Sequence, residues 1–139
     1  MNSAAQSYID TLKKNNVNAK DVYETKNGKT VVKCGWNLKS TTIDVLVAFS
    51  EDCKYVEIRC FSFAKAPQDR LGQVMIACNE LNKKYKWVKF YVDDDCEVNA
   101  EDDAIIDATT AGDECFELMV RMAGIVDEAY PVIMKAVYA

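Results

Sequence analysis

ACNELNKKYKWVKFYVDDDCEV, Ala77 to Val98, holds the end of a helix, a strand and a reversing turn. Upstream of it Leu71, Val74, Met75, Cys78, Leu81 and Tyr85 recur every three or four residues and share one helical face. Asn79, Glu80, Asn82, Lys83 and Lys84 mostly occupy the other side, and Pro67 suits the first helical turn, where its missing N–H costs nothing. From Trp87 the period falls to two. Val88, Phe90 and Val92 point one way and Trp87, Lys89 and Tyr91 the other. Asp93, Asp94 and Asp95 stop that strand, and Val98 begins the return.

Working outward, Ser3 is the expected N-cap of a first helix with Ala4, Tyr8, Ile9 and Leu12 as its stripe, ended by Asn15-Asn16. Asn27-Gly28 separates two strand-like runs, 21–25 and 30–36, and predicts a hairpin with a type I′ turn. Residues 41–49 alternate, with Ile43, Val45, Val47 and Phe49 inward. Ser50-Glu51-Asp52 turns the chain into a strand at 55–63 that sends Val56, Ile58 and Cys60 inward and Tyr55, Glu57, Arg59, Phe61 and Phe63 outward. Residues 97–108 read as a long or broken strand with Ala104 and Ile106 on one side. Thr110 opens a last helix with Asp113 as its capping-box acid. Its stripe is Phe116, Met119, Val120, Ala123, Val126, Tyr130, Ile133, Met134 and Val137, and Pro131 is expected to kink or divide it.

The order is α, β-hairpin, β-hairpin, α, β-hairpin, α. It predicts one α+β domain over 1–139: a mainly antiparallel sheet of five to six strands with helices packed on one face. Asn79-Glu80-Leu81-Asn82, the strand after it, the acidic turn and Val98 resemble the YbjN-like family, described as bacterial sensory transduction regulators. That resemblance implies a fold like the type III secretion chaperones, homodimerisation, and binding of an extended or helical segment of a partner protein. The family often has Asp-Gly at the turn, where this chain has Cys96.

A chain of 139 residues, half of them hydrophobic, can bury roughly two-thirds of its unfolded surface without staples. No apolar run approaches the roughly 20 residues that span a bilayer, and no export signal precedes the first helix, so the expected location is cytoplasmic, with no membrane partner. The six cysteines include no C-x-x-C pair and mostly sit at apolar positions, which favours reduced thiols over disulfides or zinc. Residues 1–40 carry seven lysines against three acids, whereas 91–139 carry two bases against thirteen acids. An acidic chain without a basic stripe is a poor nucleic-acid binder, but this asymmetry can draw the two ends of the chain together, or two subunits head to tail.

There is no histidine, and no nucleophile-elbow, Walker or dinucleotide motif, so the chain is expected not to be an enzyme and to need no cofactor. The acidic run 93–97 lacks the loop glycine and terminal glutamate of a calcium hand and is expected to be a solvated turn rather than a metal site. Cys115 lies near a helix start, but Asp113, Glu114 and Glu117 oppose its thiolate. What remains is the second sheet face. Tyr55, Arg59, Phe61, Phe63, Trp87, Lys89 and Tyr91 interleave aromatics with charges, the residue types that anchor protein interfaces. The expected function is non-enzymatic protein binding by that face, chaperone- or adaptor-like. The alternative is a sensory domain for a small molecule or metal.

Overall fold

The computed structural model describes residues 2–138; Met1 and Ala139, the ends of the expected domain, lie outside the described residues. The elements run α1 (Ser3–Lys14), β1 (Asp21–Glu24), β2 (Thr30–Asn37), β3 (Thr42–Phe49), β4 (Tyr55–Lys65), a short 3-10 turn (Gln68–Arg70), α2 (Leu71–Lys84), β5 (Lys89–Val92), β6 (Glu97–Ile105) and α3 (Ala111–Tyr138). Six strands form one antiparallel sheet in the order β1-β2-β3-β4-β6-β5.

Alternation decides which face is wet. Val32, Cys34, Val45, Val47, Phe49, Val56, Ile58, Cys60, Phe90, Val98 and Ala100 all project to one side and join α1, α2 and α3 in a single buried cluster. Each such Val, Ile or Phe contributes about 1.5–3 kcal/mol by leaving water. All three helices therefore lie on one face, as the alternation requires.

Local chemistry moves several boundaries. Asn2, not Ser3, caps α1: its Oδ1 accepts from the Ala5 N–H at 3.1 Å, and its Nδ2 donates to the Ser50 carbonyl at 2.7 Å, tying the helix start to the β3–β4 turn. Asn16 ends the excursion in the left-handed region at φ 59°. The Asn27-Gly28 hairpin is not type I′. Only Gly28 has positive φ, at 84°; Gly28 N–H donates to Thr25 O and Thr25 N–H to Lys29 O, a longer turn with one left-handed glycine. In α2, Val74, Cys78 and Leu81 are buried, but Met75 stands exposed beside Ile76, because the sheet accepts a narrower stripe than the sequence offers.

α3 differs most from expectation. It starts at Ala111, and the Thr110 hydroxyl meets Glu114 rather than Asp113. Its buried stripe is Cys115, Met119, Met122, Val126, Ala129, Ile133 and Val137, while Val120 turns outward. Pro131 does not divide it: the helix continues to Tyr138, since a proline removes one backbone bond and the flanking Ala129, Ile133 and Val137 remain anchored in the core. Its first turn crosses α1 at very close range. A Cβ on Gly112 would lie 2.6 Å from the Ser7 and Thr11 hydroxyls and 2.7 Å from the Ser7 backbone oxygen. Gly112→Ala is therefore expected to cost about 1–3 kcal/mol, as overpacking does, and denaturant titration checks it.

Candidate functional site

The face opposite the helices carries the site. Tyr55, Phe61, Tyr91 and Ile105 are exposed on it, and Ile105, paired across the ladder with Tyr55, is 91% accessible. A shallow cleft of about 370 Å³ opens there between Lys29, Tyr55, Glu57, Asp103 and Ile105. Ile105 was not among the sequence candidates. The alternation that puts Ala104 and Ile106 on one side leaves Ile105 on the other, and the Tyr55–Ile105 register makes that the exposed face.

Arg59 lies at the centre of an ion network. Its guanidinium meets Asp103 at 2.8 Å, Glu57 at 3.3 Å and Glu101 at 3.6 Å, and donates to the Ile58 and Asp102 carbonyls at 3.0 and 3.2 Å. Burial alone would lower its pKa, but Asp103, Glu101 and Glu57 together hold it above the ordinary value. Lys29 pairs with the other Glu57 oxygen and stands 5.9 Å from the Tyr55 ring centre. Two cations thus meet three carboxylates in one paired network with a single negative charge in excess, and the exposed aromatics beside it are the apolar groups left to make contacts.

Three sequence candidates leave this face. A register irregularity in β4 lies between Cys60 and Ala64, with Ser62 at φ 55°; the side chain of Asn99 pins it by accepting the Ser62 N–H at 2.6 Å. Beyond it, Phe63 is turned onto the buried side, edge-on to Phe90 with ring centres 6.1 Å apart. Such bulges shift the alternation, which no periodicity in 55–63 signals. Trp87 precedes β5 instead of belonging to it; it stands at the sheet edge with its ring 6.0 Å from the Arg121 guanidinium of α3. Lys89 begins β5, but its ammonium bends round the edge to donate to the Asn82 and Tyr85 carbonyls, both at 2.9 Å, at the end of α2. Tyr55, Arg59, Phe61 and Tyr91 remain on this face, with Tyr55 beside Ile105 at one end and Phe61 and Tyr91 toward the other.

The helix-to-strand motif has a structural use. Leu81 is buried, and the Asn82 side chain donates to Phe90 O at 3.0 Å and accepts from Phe90 N–H at 2.7 Å, imitating a neighbouring strand on the outer edge of β5. After β5, Asp93 accepts from the Glu97 and Asp95 N–H groups and from Asn99, which hold its carboxyl below the usual range. Cys96 takes the left-handed conformation at φ 61° that glycine would otherwise supply. The acidic run is thus organised by its own turn. Among the described residues no group of three His, Cys, Asp or Glu side chains is placed to hold a metal ion.

All six cysteines are free. Burial pushes Cys60 and Cys115 up to about 12 and Cys78 up to about 11. Cys53 is the exception that the sequence did not signal. Burial acts to raise it, but the backbone N–H groups at the start of α1 outweigh that and hold it below its ordinary value.

No helix of the described chain is long and apolar enough to cross a membrane. No curated protein matches the sequence. Among solved structures, the chain is similar to that of "YbjN, a putative transcription regulator from E. coli", at 10% identity, with 91% of each chain covered and a TM-score of 0.59, a likeness of fold. The family model described as "YbjN: Putative bacterial sensory transduction regulator" matches residues 18–133, and the chain therefore belongs to the YbjN family.

Proposed function

We propose that this chain is a non-enzymatic, chaperone- or adaptor-like domain that works as a homodimer in the cytoplasm and holds a segment of a partner protein. The observation that carries the reading is the uncovered sheet face. All three helices lie on the other side, yet Tyr55, Phe61, Tyr91 and Ile105 stand in the open. Aromatic side chains lose little conformational freedom on contact and bury a large area, so a partner's apolar side chains gain most by settling among them. The ion-paired Arg59 network, with one carboxylate in excess, forms a polar surround that orients a segment. The family's description fits a regulator that acts through the protein it holds.

The test is a pull-down from native lysate under reducing conditions, with stoichiometry by mass spectrometry, using the wild type beside Phe61→Ala/Tyr91→Ala. The double variant is expected to lose at least tenfold of a near-stoichiometric partner while its thermal midpoint stays within about 2 °C, because both side chains are already exposed. Equal capture by both proteins would remove this face from consideration. A sensory domain for a small molecule or metal would instead show a raised thermal midpoint with its ligand.

A further inference from the structure

Four outward positions of β6 follow one another at two-residue steps: Ile105, Asp103, Glu101 and Asn99. A step is about 7 Å, so the row runs for about 20 Å. Both ends are flanked by apolar side chains. Ile105 stands beside Tyr55, while Asn99 lies opposite Tyr91 and accepts the N–H of Ser62, the residue after Phe61.

The middle of the row is acidic, and its cations are the covered groups. Glu57 stands directly opposite Asp103, and like charges face to face repel unless a cation joins them. Arg59 joins them, but its side chain is 16% exposed, against 41% for Glu101 and 63% for Asp103. Lys89, opposite Glu101 on β5, directs its ammonium to carbonyls at the end of α2 instead. Glu57 uses both oxygens, one on Lys29 and one on Arg59. Asp103 and Glu101 each meet Arg59 through one oxygen, and their second oxygens make no ion pair among the described residues.

We propose that this row seats an extended segment of a partner protein with the pattern aliphatic-x-basic-x-basic-x-aliphatic. This rests on the function proposed above and names the chemistry of the segment that the face holds. An extended chain laid along β6 repeats at the same two-residue step, so its alternate side chains fall over successive positions of the row. One aliphatic group settles on Ile105 and Tyr55, and the other between Phe61 and Tyr91. The two bases stand over Asp103 and Glu101 and give each open carboxylate oxygen a cation of its own. A helix does not keep to the row, because residues four apart turn away by about 40° at each step. An acidic segment meets the two most exposed carboxylates of the network and is repelled.

The experiment is fluorescence anisotropy on the full chain with two labelled synthetic peptides of one composition, Leu-Ser-Arg-Ser-Lys-Ser-Leu and Leu-Ser-Ser-Arg-Lys-Ser-Leu, which differ only in whether the bases alternate or adjoin. The wild type is expected to bind the alternating peptide at least tenfold more tightly. Glu101→Gln/Asp103→Asn keeps the acceptors of Arg59 and removes the charge; it is expected to unfold natively and to lose that preference. Phe61→Ala/Ile105→Ala, which touches no ion pair, is expected to weaken the alternating peptide at least tenfold and so tests the apolar ends separately. Equal binding of the two peptides, binding of neither, or a preference that Glu101→Gln/Asp103→Asn retains would overturn this segment chemistry. The protein-binding reading would still stand in that case if Phe61→Ala/Tyr91→Ala lost a near-stoichiometric partner in the pull-down, and would fall with it if that variant captured the partner equally.

Discussion

Asn82→Ala is expected to destabilise the protein by about 2–4 kcal/mol, although position 82 lies on a half-buried helix surface. Two hydrogen bonds disappear, each with a net value of about 0.5–1.5 kcal/mol, and the Phe90 N–H and C=O lose partners in a part-buried setting. Phe90 itself is 2% exposed and packs under α2, so the substitution loosens β5 where it meets the core. A second consequence concerns specificity. An edge strand with free backbone groups is a template for another chain, and Asn82 removes that template at the centre of β5. Denaturant unfolding measures the first effect. Loss of monodispersity by light scattering under native conditions measures the second. A change below 0.5 kcal/mol would show that water replaces the amide at no cost.

Asp102→Asn is expected to do the reverse and stabilise the fold at neutral pH by about 1–3 kcal/mol. Asp102 is 8% exposed, lies opposite Ile58 on the core side of β6, and has one carboxylate oxygen, Oδ2, with no hydrogen-bond partner among the described residues. Burial first, and then the charge of Asp103, push its pKa up to about 6, against the pull of the Asp103 N–H and Arg59. The sign follows from proton counting. Near pH 4 the folded protein holds the proton more tightly than the unfolded chain does, so the carboxyl is neutral and costs little. As pH rises through about 6 the folded state must ionise a buried group, and the penalty reaches its full value, on the order of 2–3 kcal/mol. Thermal unfolding from pH 4 to 7.5 should therefore show wild type and Asp102→Asn close at the acid end, separating between about pH 4 and 6 and running parallel above that. A difference that is the same at every pH from 4 to 7.5 would contradict the assignment.

Much of this architecture is legible in the residues because the sheet has one dry face. Ile43, Val45, Val47 and Phe49, or Val56, Ile58 and Cys60, can only be buried by putting helices on their side. Sequence reasoning fails where one residue breaks the period. Ser62 reverses the alternation by adopting positive φ, a state that serine seldom takes, so Phe63 is assigned to the wrong face while Phe61 is assigned correctly. Trp87 misleads in the same way: a residue in a γ-turn looks like the first residue of a strand when only apolar spacing is counted. Lys89 is a different case, because its backbone faces as expected and only the reach of a four-carbon side chain takes the charge elsewhere. The buried stripe of α3 is offset since Val120 and Met122 are equally apolar, and neighbouring helices, not hydropathy, choose between them.

The strand order also concentrates the entropy of chain closure at one place. β1, β2, β3 and β4 each meet their neighbour across a turn of a few residues, and so do β5 and β6. β4 instead pairs with β6, joining Tyr55 to Ile105 and Lys65 to Glu97 around an intervening helix and strand. The sheet is thus two locally wound pieces, a four-strand meander and a helix-hairpin unit, joined by one long-range strand pairing. Loop closure rises only logarithmically with length, so this detour costs little equilibrium stability. Its effect falls on time instead: local turns can form early in either piece, while the native core waits for the one pairing that must be found across the detour.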